Sequence, residues 1–251
     1  MNIKSLYHCH SLNYLKAREA GFTHVEVSVN AWPGNFQTRM MDAIRTAHEM
    51  GIKCIIDPGF ERQNEAFDLL AKIKEYLDPN DIIYLPDEPN RKITQTGMFR
   101  DHSSSESLKE MTVKIPRMRE NRLYFIREDL RKIGILNKTM VVLSDIASYW
   151  GYNNSADIIG FDFYKPSMFK LYKHLILKVW PFLQFNKTEL IAVPAIRSPE
   201  YIIAQWKAWK RFGFHNFFWY ASNLEEEGFG KGTLFTQENE KLLEALKHCN
   251  N

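Results

Sequence analysis

Residues 84–90 read YLPDEPN: an apolar run ends in two adjacent carboxylic acids and is closed by a proline. Neighbouring acids repel each other's charge, and a partly buried Glu88 beside Asp87 is expected to hold its proton toward neutral pH, which suits a general acid. The plainer reading is turn chemistry, with Asp87 and Glu88 capping the turn that Pro89 begins. Further groups able to do chemistry stand at the ends of other apolar runs: His8 and His10 in YHCHS, Asn30 and Trp32 after HVEVSV, and Asp57 in DPG. Later in the chain come Asp145, then Asp162 and Tyr164 in GFDFY, then Arg197, and finally Trp219 with Asn223. Carboxylates and aromatics gathered on one rim suit a sugar site. Glycosidic cleavage needs a proton donor and a second carboxylate, and sugar rings stack on aromatic faces.

These groups can converge only if the runs carrying them are neighbours in space. Eight short strand-like runs recur, IKSLYHC, FTHVEVSVN, IKCIID, DIIYLP, TMVVLSD, DIIGFDFY, ELIAVPA and NFFWYAS, each followed by a helical or loop segment. That alternation predicts a parallel sheet covered by helices, and eight repeats predict a closed (β/α)8 barrel. The helical segments agree. Met40, Ile44 and Ala47 share one stripe ahead of Gly51, and Ser198, Pro199 and Glu200 form a helix start. In THVEVSVN the period of two predicts that Val25, Val27 and Val29 meet the helices while His24, Glu26, Ser28 and Asn30 face inward. An inward Glu26 is costly unless paired, so a lumen network is expected. In DIIGFDFY, Gly160, Asp162 and Tyr164 share a face, and the small Gly160 is read as leaving space beneath them.

The bulk properties bound the reading. A chain of 251 residues, 45% hydrophobic, supports one domain over 1–251. A balance of 33 basic against 30 acidic residues is too even to call for nucleic acid or an anionic membrane as partner. Three cysteines without metal-type spacing suggest neither a disulfide framework nor a zinc site and fit a reducing, cytoplasmic location. The segment MNIKSLYHCHS has no apolar core of signal-peptide length, and no stable membrane insertion is expected. Two segments break the rhythm. Residues 91 to 115 are long and polar and read as an extended βα loop over the barrel mouth. MFKLYKHLILKVWPFLQF, apolar with interspersed lysines, reads as an outer barrel helix broken at Pro181, with a membrane-surface helix as the alternative.

The runs AGFTHVEVSVNAW, AIRTAHEMGIKCIIDPGF, IIYLPDEPN, ADIIGFDFY and FGFHNFFWYAS together resemble the barrel of the large glycoside hydrolase clan that includes cellulases, mannanases and β-galactosidases. In that clan strand 4 often ends in Asn-Glu-Pro. The resemblance implies that Glu88 is the counterpart of the general acid/base and that Asp87 stands where the clan has an Asn contacting the sugar 2-hydroxyl. It also implies a carbohydrate as substrate or ligand and no cofactor. The chain departs from the clan at strand 7, where retaining enzymes carry their nucleophilic Glu: ELIAVPAIR has Glu189 at its start, the wrong end of the barrel. A second carboxylate is therefore sought in Asp162, Asp145 or Asp57, with Asp162 preferred. A wider carboxyl gap of ~6.5–9.5 Å would predict inversion.

The reading is thus a barrel that cleaves or binds a carbohydrate at its mouth. Glu88, Asp87 and Asp162 are the catalytic candidates, and Asn30, Trp32, Asp57, Tyr164 and Trp219 the substrate-binding ones. Two alternatives stand beside it. One is a non-catalytic barrel that binds glycans or partners. The other is a metal-dependent phosphodiesterase or hydrolase using His8, His10, Glu26 and Asp57, since imidazoles at i and i+2 of a strand point the same way. No feature of the sequence specifies an oligomeric state.

Overall fold

Alternating runs of this kind bury both faces of each strand. In the structure, a computed structural model describing residues 2–29, 36–60, 63–86, 123–143, 155–163, 167–180, 188–220 and 233–249, they close into a ring. The strands are β1 (Lys4–Tyr7), β2 (His24–Ser28), β3 (Lys53–Asp57), β4 (Ile82–Tyr84), β5 (Lys138–Leu143), β6 (Ile158–Phe163), β7 (Glu189–Pro194) and β8 (Asn216–Tyr220). Each pairs in parallel with the next, and β8 returns to β1 with Ser5 opposite Phe218 and Leu6 opposite Trp219. The described helices are α1 (Tyr14–Glu19), α2 (Phe36–Glu49), α3 (Gln63–Ile73), α4 (residues 123–132), α5 (Met168–His174), α6 (Pro199–Arg211) and α7 (Glu240–His248). This is the (β/α)8 barrel that the sequence predicts.

Strand alternation divides the core into two layers. One face of the strands, including Val25, Val27, Ile83, Ile159 and Phe217, packs against helix residues such as Met40, Ile44 and Ala47, all essentially unexposed. The other face fills the lumen with Ile3, Ile55, Ile82, Tyr84, Met140, Val142, Ile158, Ile191, Val193 and Phe218. Each fully buried aliphatic side chain contributes roughly 1.5–3 kcal/mol, so the lumen is a packed plug and not a pore. Gly160 belongs to that plug. A Cβ there would lie 2.6 Å from Val142 Cγ2 and 3.2 Å from Ile191 Cγ2. The space read from sequence beneath Asp162 is therefore filled by these two neighbours.

Local signals hold where they can be checked. Ser198 accepts a hydrogen bond from the Tyr201 N–H at the start of α6, with Pro199 in the first turn. The Glu200 carboxylate is stabilised there by a backbone N–H and the Ser198 hydroxyl, which lower its pKa. The helix over Met168–His174 continues through a π-helical stretch, Leu175–Val179. Pro181 and residues 91 to 115 lie outside the described residues. Among the described residues no helix is long and apolar enough to cross a membrane. Cys9, Cys54 and Cys249 are free and buried.

The strand entrances are tied together at the N-terminal floor. Asp81, completely buried just ahead of β4, accepts the N–H groups of Cys54 (2.7 Å) and Asp78 (2.8 Å) and the His48 Nε2–H (3.0 and 3.1 Å to its two oxygens). Asp157, just ahead of β6, accepts from the Thr139 N–H and hydroxyl and pairs with Arg127 at 2.6 Å. Glu189, at the start of β7, pairs with Lys138 (2.7 Å) and accepts from Asn216 Nδ2 (3.1 Å). It is fixed at the floor, away from any chemistry at the mouth.

Candidate functional site

The opposite rim is where the inward positions turn polar. Ser28, Asp57 and Asp162 occupy the lumen-facing parity at or near the C-terminal ends of β2, β3 and β6, and Glu26 shares that parity mid-strand, level with Ile55 of the plug. The register pairs Ser28 with Asp57, and the Ser28 hydroxyl donates to Asp57 Oδ2 at 2.7 Å. Asp57 Oδ1 accepts the Gly59 N–H at 3.0 Å, and Gly59 has φ +74°. Asp57 is thus both the turn former and a rim carboxylate, the two roles that DPG allows.

Glu26 is buried, as its mid-strand position demands, and its Oε2 accepts the His8 N–H at 2.7 Å. That bond rests on an unusual backbone. β1 ends at Tyr7, and His8 adopts φ +55°, the left-handed region sparsely used by residues with a side chain. The turn brings the His8 ring parallel to Tyr7, with centroids 4.0 Å apart, and sets His8 Nε2 3.9 Å from Glu26 Oε2. Burial pushes the His8 pKa down to about 4, so the contact at neutral pH is between a neutral imidazole and the carboxylate.

Beneath this polar band lies an aromatic layer. Phe218 meets Tyr7 edge-on at 5.2 Å and Tyr84 edge-on at 6.1 Å. Sequence reasoning missed this layer. The signal was available in parity: Tyr84 shares the inward face of Ile82, and Phe218 falls between the outward Phe217 and Trp219.

Other sequence candidates fall elsewhere. Trp219 is on the outward face of β8, fully buried and stacked over Phe217 at 5.9 Å between the barrel and its helices. The parity that turns Phe218 inward turns Trp219 away from the lumen, so it cannot serve there as a sugar platform. The metal set of the alternative reading does not assemble either. The same-face rule for i and i+2 applies only within a strand, and the chain has left β1 before His8. His10 is exposed and accepts the Leu12 N–H through Nδ1, capping a short 3-10 turn. Among the described residues, the grouping of three His, Cys, Asp or Glu ligand atoms within 4.8 Å is His48, Cys54 and Asp81 at the floor. Asp87, Glu88, Asn30, Trp32 and Tyr164, with Asp145 and Asn223, lie outside the described residues.

The barrel is shared with solved structures of diverse chemistry. The chain is similar to glycoside hydrolase barrels. An uncultured Clostridium sp. β-glucuronidase matches 95% of this chain and 46% of its own length, at 12% identity and a TM-score of 0.60. A GH5_18 protein from Bifidobacterium longum subsp. longum, in complex with Manb1-4GlcNAc, matches 95% of this chain and 71% of its own, at 10% identity and a TM-score of 0.62. D-psicose 3-epimerase from Clostridium cellulolyticum H10, solved with D-tagatose, matches 99% of this chain and 96% of its own, at 10% identity and a TM-score of 0.56. This chain therefore spans about half the length of the glucuronidase. At these identities the likeness shows the fold alone. No family model and no curated protein matches the chain.

Proposed function

We propose that this protein is a carbohydrate-active barrel that cleaves a glycosidic bond at its C-terminal mouth, with Glu88 as the general acid/base. The observation that carries the reading is the polar rim of Ser28, Asp57 and Asp162 above an apolar lumen with an aromatic layer. The resemblance of IIYLPDEPN to the strand 4 end of the glycoside hydrolase clan supports Glu88 as the acid/base. Asp162, on β6, is two strands away from β4 around the ring and is the second carboxylate of the proposal. Asp87 contacts a sugar hydroxyl, and Asn30, Trp32, Asp57 and Tyr164 line the site.

Residues 190–198, from within β7 to the helix start beyond it, contain no acid. The mechanism proposed is therefore single displacement. Glu88 protonates the leaving oxygen while Asp162 activates a water across a gap of ~6.5–9.5 Å, inverting the anomeric centre. The absent strand 7 acid also favours a second reading, a barrel that binds a glycan without turnover. A cytoplasmic site of action is proposed from the three buried free thiols.

The test is a screen of the whole chain against para-nitrophenyl glycosides and manno- and gluco-oligosaccharides, with Glu88→Gln beside it. The hydrolytic reading expects turnover that falls by about 10²–10⁴ in the variant, with oligosaccharide affinity retained. Affinity without turnover in both proteins selects the binding reading. If the parent chain shows no turnover and binds none of these oligosaccharides, the carbohydrate proposal falls.

A further inference from the structure

At the far end of the barrel from the mouth, three side chains from three elements meet in a way the sugar reading does not use. Cys54, the second residue of β3, faces outward into the helix-packed core. Parallel pairing of Ile55 with Ile82 sets it beside Asp81, just before β4, and the last turn of α2 brings His48 against both. Hydrogen bonding accounts for two of the three, because Asp81 holds the His48 Nε2–H and two backbone N–H groups. It does not account for the third. Among the described residues the Cys54 thiol, wholly buried against a carboxylate and an imidazole, makes no hydrogen bond.

We propose that His48, Cys54 and Asp81 form a binding site for a divalent transition metal, best matched to zinc. Their ligand atoms all lie within 4.8 Å of one another. Zinc bonds of ~2.0–2.3 Å in a tetrahedron put ligand atoms about 3.3–3.8 Å apart, so the trio stands within an ångström or two of that geometry. A mixed thiolate, imidazole and carboxylate set selects zinc or cobalt over magnesium or calcium, which take oxygen ligands. The His48 side chain is 24% exposed, so solvent reaches the edge of the trio, and water is the proposed fourth ligand. On binding, the thiol releases its proton to solvent, and the neutral imidazole carries its proton on Nδ1, freeing Nε2 for the metal. The ion replaces the His48–Asp81 hydrogen bond and joins α2, β3 and the entrance of β4, a structural staple separate from any chemistry at the mouth.

The experiment is a cobalt(II) titration of the full chain, read by absorbance and followed by zinc(II) thermal shift. One equivalent should give a thiolate-to-cobalt charge-transfer band with the intense visible absorption of tetrahedral cobalt, and zinc should raise Tm. Cys54→Ser keeps Cys9 and Cys249 and should lose the band. His48→Asn, at a partly exposed position and checked for folding by circular dichroism, should weaken binding about tenfold or more. Absence of the band in the parent chain, its persistence in Cys54→Ser, or an equal zinc shift in folded His48→Asn each overturns the site. None of these readouts depends on hydrolysis.

Discussion

The two ends of the barrel use the same residue types for different purposes. At the floor, Asp81 and Asp157 precede their strands and accept backbone N–H groups of neighbouring strands. They lock register where the chain enters the sheet. At the mouth, Asp57 and Asp162 come late in their strands on the inward face, while Glu26, mid-strand and buried below them, accepts the His8 N–H. A buried floor carboxylate whose oxygens are taken up by N–H groups is structural material. A rim carboxylate above an apolar plug stands at the end where barrels of this fold build their sites. The fold is thus stabilised at one end and left chemically free to vary at the other.

The contrast is broken most sharply by paired substitutions that should fail in opposite ways. Glu88→Gln is expected to cost about 10²–10⁴ in turnover with Tm nearly unchanged. Asp81→Ala is expected to cost about 3–5 kcal/mol in denaturant unfolding, because it strands buried donors from Cys54 and Asp78 and removes the partner of His48. If Glu88→Gln lowers stability as much as Asp81→Ala does, the acid at the β4 end is a structural cap and the division of labour between the two ends is lost.

The floor also sets a pH dependence. His24, at the start of β2, is buried with Nδ1 2.8 Å from the Thr23 hydroxyl. Burial lowers its pKa from 6.5 to about 4, with the Asp81 carboxylate opposing the shift. The unfolded chain therefore binds a proton that the folded chain refuses between these values. The stability from keeping His24 neutral is present above about pH 6.5 and is lost as pH falls toward 4, by up to about 3 kcal/mol. His8 at the mouth adds a change of the same sign. Unfolding midpoints measured across this window should fall steeply in the parent chain and less steeply in His24→Asn. Equal slopes would show that His24 is not the group responsible.

Much of this arrangement was legible in the sequence, and the limits have physical causes. Period-two alternation in THVEVSVN placed Val25 and Val27 against the helices and made a buried, paired Glu26 a requirement, because both follow from strand geometry alone. Trp219 was misassigned because residue type suggested a sugar platform while parity, read from Phe218, turned it outward. His8 and His10 were misread because the rule used for them presumes a strand, and a left-handed residue ended it. Ser28 with Asp57, and Cys54 with His48 and Asp81, could not be foreseen. Contacts between elements depend on register and helix placement, which no local pattern encodes.

Gly160 tests the boundary between the two ends with the smallest expected effect. It sits in the middle of β6, level with the plug and two residues before Asp162. The sequence suggests that its missing side chain opens room beneath the site, whereas the packing shows Val142 and Ile191 already in that room. Gly160→Ala distinguishes the two. A methyl group forced to 2.6 Å from Val142 Cγ2, with the Val141 carbonyl oxygen at 3.3 Å, must push a β-branched side chain that has few rotamers to retreat into. The expected cost is about 1–3 kcal/mol in unfolding free energy. Because the strand transmits any displacement to Asp162, ligand affinity at the mouth should fall along with stability. Unchanged stability would mean that the lumen is open beneath the rim, and that the separation between a packed plug and a polar mouth is less strict than the contacts of Val142 imply.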